Sequence, residues 1–373
     1  MRIIFFTPQL SSGGAQQVAI LLSSAMASLG HEVTIAPPSL AGELASKVNR
    51  HCSLFDLKSS KPIKARRNLA ALVNELNPDA VICFGIYTGI AAALSSLSWR
   101  NTPALVIRNE NNLHIDWQQG TWLNRIIGPH LSRWAARKAH VIAVSQSLAQ
   151  PTADFLRIPS SRLTTILNPV IDDSAPQITG TEETLHPWLR DKSVPTFVAM
   201  GRLEHQKGFD VLIDAFSRAR KRTDARLIIF GKGALRDTLQ NQIASCGMNE
   251  SICLAGFTPH AISQMSAAHA FVLSSRFEGF GLVLVEAMLA GTKVISTSCD
   301  FGPSELLEDG RYGKLVPVDD AQALADAILQ SIKEPWTAER PSEQWFSQFT
   351  ASEAARQHLA LIEKLRSDSG NFS

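Results

Sequence analysis

The feature that most constrains the fold of this chain is the alternation of short apolar runs with longer segments of helical periodicity. The apolar runs are bounded by small or turn-forming residues, as expected for buried strands. We predict strands at 2–6, 32–36, 80–84, 104–108 and 141–144, weaker strands near 52–56 and 163–167, and further strands at 196–200, 225–230, 251–255, 270–274, 293–296 and 314–316. This alternation predicts an α/β protein whose parallel sheets are covered by helices on both faces.

The segment 171–184 divides this alternation into two parts. It is rich in Asp, Ser, Pro, Gly and Thr, which is typical of a linker. A chain of 373 residues is long enough for two domains of ordinary size. We therefore predict an N-terminal domain at 1–173, a C-terminal domain at 174–350 and a terminal helix within 351–373.

Charge is distributed unevenly along the chain. Residues 1–173 contain 16 Lys and Arg against 10 Asp and Glu, although the net charge of the whole chain is only +2. The basic residues form two clusters. The first contains Lys58, Lys61, Lys64, Arg66 and Arg67; the second contains Arg133, Arg137 and Lys138, which follow Trp117 and Trp122 and surround Trp134. This pattern predicts contact between the N-terminal domain and an anionic membrane surface, although a solvated helix face with buried tryptophans would explain it as well. We expect no nucleic-acid partner, because the chain has no basic-aromatic repeat.

The composition favours a cytoplasmic protein. The five cysteines show no C-x-x-C spacing and are typical of small buried side chains in a reducing compartment. The uncharged stretches 3–31 and 80–99 are interrupted by Gly, Pro and polar residues, so we expect strand–helix units there rather than membrane spans. Together with the basic clusters, this predicts a location at the inner face of the cytoplasmic membrane.

Two glutamates eight positions apart follow the predicted strand at 270–274. Glu278 lies in a glycine-containing loop, and Glu286 lies about two turns into the helix that begins near Gly281. The loop offers backbone amides at a helix N-terminus, which favour an anion. Carboxylates beside an anion site suit a ligand with phosphates and many hydroxyls, such as a nucleotide sugar. Two solvated glutamates on an amphipathic helix are the simpler alternative.

Glycine loops follow two other predicted strands. The loop after 196–200 carries Arg202 and Lys207, which suit a diphosphate because Arg presents a planar fork and Lys a compact charge. Two ordinary surface cations are the alternative. After the first strand, Gly13 and Gly14 allow close approach of a ligand to the N-terminus of the next helix, although a flexible turn would have the same sequence.

Together these motifs resemble the retaining glycosyltransferases of family 4. The resemblance covers most of residues 1–325. It rests on Gly13-Gly14-Ala15, Val144-Ser145, Asn168-Pro169, Gly201-Arg202, Gln206-Lys207-Gly208, Gly231, Gly233, Glu278, Glu286, Gly291, Gly302-Pro303, Glu305, Asp309-Gly310 and Gly313. It implies the GT-B fold, in which two Rossmann-like parallel-sheet domains face a cleft. It also implies that the terminal helix within 351–373 packs back onto the N-terminal domain.

The resemblance also implies roles for individual residues. Arg202 and Lys207 would bind the donor diphosphate and stabilise the leaving group, so that neither a metal ion nor a cofactor is needed. Glu278 would hold hydroxyls of the donor sugar, and Glu286 would hold the ribose. The amides of Phe280, Gly281 and Leu282 would lie near Glu278, and Phe257 would flank the base.

The N-terminal domain departs from the family pattern at one position. Many members have a histidine there that touches the donor sugar, whereas this chain has Asn109 or Glu110. His114 lies further along and could take its place, although a surface histidine is the simpler interpretation. The identity of the N-terminal catalytic group therefore stays open between Asn109 and Glu110.

The expected function is transfer of a hexose or N-acetylhexosamine from a nucleotide sugar, with UDP as the expected nucleotide. The expected acceptor is a saccharide or a polyprenyl-linked saccharide in cell-surface polysaccharide or lipopolysaccharide synthesis. A catalytically silent nucleotide-sugar-binding protein is the alternative. An epimerase would lack the Arg202 and Lys207 pattern, and a phosphorylase would be far longer.

Overall fold

A computed structural model describes residues 1–10, 13–118, 121–173 and 180–370. The chain divides into two compact units: unit 1 comprises Met1–Pro176 together with Ser347–Ser373, and unit 2 comprises Gln177–Phe346. Part of the predicted linker, 174–179, lies outside the described residues.

Unit 1 contains a sheet of seven parallel strands in the order β3-β2-β1-β4-β5-β6-β7. The strands are β1 (Arg2–Phe6), β2 (Glu32–Ile35), β3 (Ser53–Leu54), β4 (Ala80–Phe84), β5 (Ala104–Asn109), β6 (His140–Ala143) and β7 (Leu163–Thr165). The helices between them are α1 (Gly14–Ser28), α2 (Pro62–Leu76), α3 (Ile86–Ser95), α4 (Leu113–Gln118), α5 (Trp122–Ala136) and α6 (Gln146–Leu156). Because each helix runs back antiparallel to the strands, α2, α3 and α5 all begin at the edge of the sheet where the strands end.

Unit 2 contains a second sheet of six parallel strands in the order β10-β9-β8-β11-β12-β13. The strands are β8 (Thr196–Met200), β9 (Arg226–Phe230), β10 (Ile252–Gly256), β11 (Ala270–Leu273), β12 (Lys293–Thr297) and β13 (Lys314–Val316). The helices are α7 (Pro187–Arg190), α8 (Phe209–Arg220), α9 (Arg236–Ser245), α10 (Ala261–Ala267), α11 (Leu282–Leu289), α12 (Pro303–Leu306) and α13 (Ala321–Lys333). Every predicted strand lies within two residues of its expected bounds, so the structure confirms the α/β class with two Rossmann-like parallel sheets.

The C-terminal helix completes unit 1. After α14 (Glu343–Ser347), the chain forms a parallel bridge from Thr350 to Ile171 and enters α15 (Ala351–Gly370), which packs against α1. The backbone amides of Val170 and Ile171 donate to the carbonyl of Phe349 at 2.8 and 3.0 Å. These bonds place residues 347–350 in unit 1, whereas the sequence assigned them to the C-terminal domain.

The two faces of the unit 1 sheet carry different helices. On one face α2 packs against α3, and α3 packs against α5. Side chains of β5 at Leu105 and Ile107 belong to the core beneath these helices. Arg108 alternates with them, so its side chain lies on the other face, where α15 covers the sheet. No helix of the described residues is long and apolar enough to cross a membrane.

Candidate active site

The candidate site in unit 2 is built from loops at the ends of four adjacent strands. Arg202 and Lys207 follow β8, Gly231 follows β9, Phe257 follows β10 and Glu278 follows β11. Because these strands are neighbours in the order β10-β9-β8-β11, their loops meet at one edge of the sheet. Ligands of open α/β sheets bind at this edge.

Two glycines allow these loops to pack closely. Gly208 has φ of +60°, and a Cβ there would lie 2.1 Å from the carbonyl oxygen of Ser274. A Cβ on Gly231 would lie 1.8 Å from the carbonyl oxygen of Gly201. Any other residue would force the backbones apart, so glycine is required where the loops after β8, β9 and β11 meet.

Lys207 and Glu278 form an ion pair at this edge. Nζ of Lys207 donates to Oε1 of Glu278 at 2.6 Å, and the hydroxyl of Ser275 donates to the same oxygen at 2.6 Å. The side chains of Lys207 and Glu278 are only 13% and 7% exposed. The pair is therefore largely removed from water, and each charge depends on the other.

Further contacts fix the loop of Lys207 against the loop of Glu278. The side-chain amide of Gln206 donates to the carbonyl of Phe277 at 3.0 Å, and the amide of Arg276 donates to the carbonyl of Gln206 at 2.8 Å. The guanidinium of Arg276 makes a bidentate contact with Asp210 at 2.7 and 2.9 Å and also bonds Asp319 at 2.7 Å. These bonds hold Lys207 and Glu278 in position before a ligand binds.

Arg202 has a different environment. Its side chain is 53% exposed and forms an ion pair with Glu204 at 2.9 Å. Its Nη2 donates to Gln206 at 3.3 Å. An exposed pair of this kind contributes about 0–1 kcal/mol, so the guanidinium can exchange Glu204 for a stronger anion at small cost.

Glu286 lies in a crowded part of α11 and is only partly exposed. Burial raises the pKa of its carboxyl to about 7. Within the described residues, no hydrogen bond or ion pair engages its side chain, so a ligand that donates hydrogen bonds would meet an unsatisfied acceptor. The helix begins after Gly281, whose φ is +96° and which provides no side-chain cap. The amide of Leu284 already donates to the carbonyl of Gly281 at 2.9 Å, so it is the amides before it, such as that of Leu282, that have no intrahelical acceptor.

Phe257 and Phe280 differ in exposure. Phe257 is 43% exposed, and Nζ of Lys232 lies 5.8 Å from its ring centroid. Phe280 is only 3% exposed, so its ring packs into the interior of unit 2. The backbone of Gly302 packs closely against that of Phe280, because a Cβ on Gly302 would lie only 2.0 Å from the carbonyl oxygen of Phe280.

The sequence-predicted residues of unit 1 lie at the ends of β1 and β5. Gly13 is the N-cap of α1 and Gly14 is its first residue, whereas the adjacent 11–12 lie outside the described residues. Asn109 is buried, and its amide donates to the hydroxyl of Thr152 at 2.8 Å. Glu110 accepts from Nε of Arg108 at 3.0 Å. The exposed ring of His114 packs edge-on against Phe155 at 4.7 Å.

Sequence analysis missed three contributors to these sites. Ser275 shares an oxygen of Glu278 with Lys207, Arg276 ties the two loops of unit 2 together, and Arg108 holds Glu110 in unit 1. Ser275 and Arg276 lie inside the predicted loop motif, but Arg276 bonds His205 and Asp210, which lie 71 and 66 positions upstream. The visible signal for Arg108 was an arginine at the end of an otherwise apolar strand.

Comparisons with known proteins identify the family. The model of glycosyl transferases group 1 matches residues 181–346, and that of glycosyltransferase family 4 matches residues 12–174. The chain therefore belongs to the family 4, group 1 glycosyltransferases.

Curated relatives match parts of the chain. An N-acetylgalactosaminyltransferase of Campylobacter jejuni that acts on a diphospho-undecaprenol-linked saccharide is 32% identical over 39% of this chain and 39% of its own length. The lipopolysaccharide core biosynthesis glycosyltransferase LpsE of Rhizobium meliloti is 31% identical over 45% of this chain and 49% of its own length. The chain thus spans half or less of the length of these two relatives.

A solved structure matches the whole chain. HepE of Anabaena, determined in complex with UDP and glucose, has a TM-score of 0.74 and 20% identity, with 100% of both chains covered. At this identity the likeness shows the fold, which is GT-B.

Proposed function

We propose that the protein is a retaining glycosyltransferase that moves a hexose or N-acetylhexosamine from a UDP-sugar to a saccharide or lipid-linked acceptor. Its pathway would be the synthesis of cell-surface polysaccharide or lipopolysaccharide. The observation that carries this proposal is the nearly buried pair of Lys207 and Glu278 at the edge of the unit 2 sheet, with Arg202 on the same loop as Lys207. The names of the relatives and the UDP bound to HepE support the choice of donor and acceptor class.

The chemistry that this arrangement favours is departure of a nucleoside diphosphate. Negative charge develops on the bridging oxygen as the sugar leaves, and fixed cations aimed at that oxygen lower the barrier. Lys207 supplies a held cation, and Arg202 supplies a guanidinium that can turn from Glu204 to a phosphate. Glu278 would accept hydrogen bonds from hydroxyls of the donor sugar, and Glu286 from those of the ribose.

A screen of nucleotide sugars tests the proposal directly. Thermal shift with a panel of donors should select a UDP-sugar, and the purified protein should then release UDP, faster when an acceptor saccharide is present. Stabilisation by a nucleotide sugar without any release of nucleoside diphosphate would instead identify the silent binding protein. Stabilisation by no member of the panel would reject both functions.

Metal independence is a further expected result. Lys207 and Arg202 would neutralise the leaving diphosphate, a task that a divalent ion performs in other transferases. The sequence contains no Asp-x-Asp motif. We therefore expect the rate of UDP release to be unchanged in excess EDTA. A loss of activity that manganese or magnesium restores would assign the enzyme to a metal-dependent mechanism.

We also propose that unit 1 docks on an anionic membrane through the first turns of α5. The α5 apolar face consists of Trp122, Leu123, Ile126 and Ile127, which are 73%, 48%, 58% and 43% exposed. Exposed cations near this face suit anionic lipid. Lys61, Lys64 and Arg67 lie at the N-terminal end of α2, which begins at the same edge of the sheet as α5. Of the other tryptophans in this region, Trp117 is buried and bonds the hydroxyl of Ser132, while Trp134 packs against the core.

Vesicle sedimentation tests this surface. Trp122→Ser combined with Ile126→Ser should lower binding to vesicles that contain phosphatidylglycerol by at least about tenfold, because each large apolar side chain that leaves water contributes on the order of 1.5–3 kcal/mol. Leu97→Ser is the matched control, since Leu97 is 66% exposed but follows α3 at the opposite edge of the sheet. Equal binding by the double variant and the control would contradict the assignment.

A further inference from the structure

Arg108, near the end of β5, is fully buried and makes a separate contact with each of its three guanidinium nitrogens. Nε donates to Oε1 of Glu110 at 3.0 Å, Nη1 bonds Nε2 of His358 at 2.5 Å, and Nη2 donates to the side-chain oxygen of Asn168. The guanidinium also lies 5.6 Å from the ring centroid of Phe84. Arg108 thus joins the end of β5 to the C-terminal helix α15.

His358 is a neutral partner in this network. Its Nδ1 donates to the carbonyl of Ala354 at 2.6 Å, which leaves Nε2 as the acceptor for Arg108. Burial, and then the charge of Arg108, lower the pKa of the imidazole to about 3. Among the described residues, Glu110 is therefore the carboxylate that pairs with the buried guanidinium, and a buried cation requires such a partner.

Glu110 keeps one oxygen for another contact. Its side chain is 11% exposed, and only Oε1 is engaged, because within the described part of the chain Oε2 has no hydrogen-bond partner. Asn109, the other residue that the sequence offered here, is 1% exposed and already uses its amide on Thr152. Glu110 thus combines a fixed orientation with an unused acceptor, and it is more exposed than Asn109, at the ligand-binding edge of a parallel sheet.

We propose that Glu110 contacts the substrate through Oε2, which accepts a hydrogen bond from a saccharide hydroxyl, and that Arg108 is the positioning residue that holds Glu110. His358 acts one step further away, by fixing Arg108 from the C-terminal helix. The inference rests on the proposed function, because a sugar hydroxyl is the group that a fixed carboxylate oxygen at this edge would bind. The hydroxyl can belong to the donor sugar or to the acceptor.

Kinetics of matched variants separate this role from a purely structural clamp. Glu110→Gln should lower kcat by at least about tenfold, since a charge-assisted hydrogen bond becomes a neutral one. Arg108→Lys keeps the positive charge but loses the planar guanidinium whose nitrogens bond three partners, so kcat should fall by a similar factor. The double variant should be no slower than Glu110→Gln alone, because the two residues act as one unit. His358→Gln retains an acceptor for Arg108 and should be the mildest change.

A destabilised control shows whether the loss of activity follows from unfolding. Leu69→Ala removes a fully buried side chain of α2 and should lower Tm with kcat retained. The control gives the loss of kcat that accompanies a given loss of Tm. If the Arg108 and Glu110 variants lose no more kcat than their own losses of Tm account for on this basis, the inference is overturned. The inference is also overturned if the loss of kcat in the double variant equals the product of the losses in the two single variants.

Two assays identify the source of the hydroxyl. Slower release of UDP from UDP-glucose without acceptor assigns it to the donor sugar, whereas a loss seen only with octyl glucoside as acceptor assigns it to the acceptor. If the wild-type protein releases no UDP at all, the proposed function fails. Calorimetry with the same two probes then decides the inference: weaker binding of either probe to both Glu110→Gln and Arg108→Lys supports it, and unchanged binding of both rejects it.

Discussion

Replacing Lys207 by alanine should lower kcat by roughly a hundredfold to a thousandfold, because removal of one group that stabilises a developing anion costs about 3–4 kcal/mol. The structure adds a second effect. Glu278 would remain largely buried without its cation, and breaking such a pair destabilises a protein by about 3–5 kcal/mol. A lower Tm for unit 2 should therefore accompany the lower kcat.

Arg202→Ala separates the two effects. Because Arg202 is exposed and its pair with Glu204 contributes little to stability, we expect a comparable loss of kcat with Tm nearly unchanged. Arg218→Ala is the matched control, since Arg218 pairs with Asp214 on the surface of α8 and should affect neither quantity. Steady-state kinetics and thermal unfolding measure both. Retention of more than about a third of wild-type kcat, less than 1 kcal/mol of barrier, by either Lys207→Ala or Arg202→Ala would remove that residue from the diphosphate site.

The two glutamates should respond differently to loss of charge. Glu286→Gln should weaken binding of free UDP by about tenfold to a hundredfold, because charge-assisted hydrogen bonds to ribose hydroxyls contribute roughly 1.5–3 kcal/mol. Glu278→Gln should leave the affinity for UDP nearly unchanged, since UDP lacks the donor sugar and glutamine keeps an oxygen acceptor for Lys207, but it should lower turnover of the nucleotide sugar. Calorimetry and kinetics on both variants test this. Equal losses of UDP affinity would indicate that both carboxylates support the loop rather than the ligand.

The raised pKa of Glu286 adds a pH signature to this prediction. Between about pH 4.5 and pH 7 the folded protein holds a proton that the unfolded chain has lost, so this carboxyl makes stability fall as pH rises through that window. Ionised Glu286 is the stronger acceptor, so the ratio of UDP affinities of wild type to Glu286→Gln should increase from pH 6 to pH 8. The variant in the same buffers corrects for titration of the UDP phosphate. A ratio independent of pH would show that Glu286 does not meet the ribose as a carboxylate.

Local pattern was sufficient to predict the fold, because the central parallel strands are buried on both faces and therefore appear as apolar runs. The strands at Arg2–Phe6, Ala80–Phe84 and Thr196–Met200 were predicted to the residue for this reason. Turn chemistry likewise located the loops of Lys207 and Glu278.

Pairings between distant positions could not be predicted from the same information. Lys207 and Glu278 lie 71 positions apart, and Arg108 and His358 lie 250 apart. Periodicity identifies which face of an element a residue occupies but not which residue lies opposite. The raised pKa of Glu286 has the same origin, since desolvation depends on side chains that only the folded sheet brings together.

The sequence order of unit 1 has a consequence for synthesis on the ribosome. The seven strands of its sheet are complete by Thr165, but α15 follows only after the whole of unit 2. At roughly 5–20 residues per second, the first unit waits on the order of 10–40 s for its last helix. During that interval the guanidinium of Arg108 has no imidazole to bond. Until then the guanidinium has only its partners within the N-terminal part of the chain, Glu110 and Asn168, and the face of the sheet that α15 covers stays open. Folding of unit 1 therefore finishes only when α15 has been synthesised.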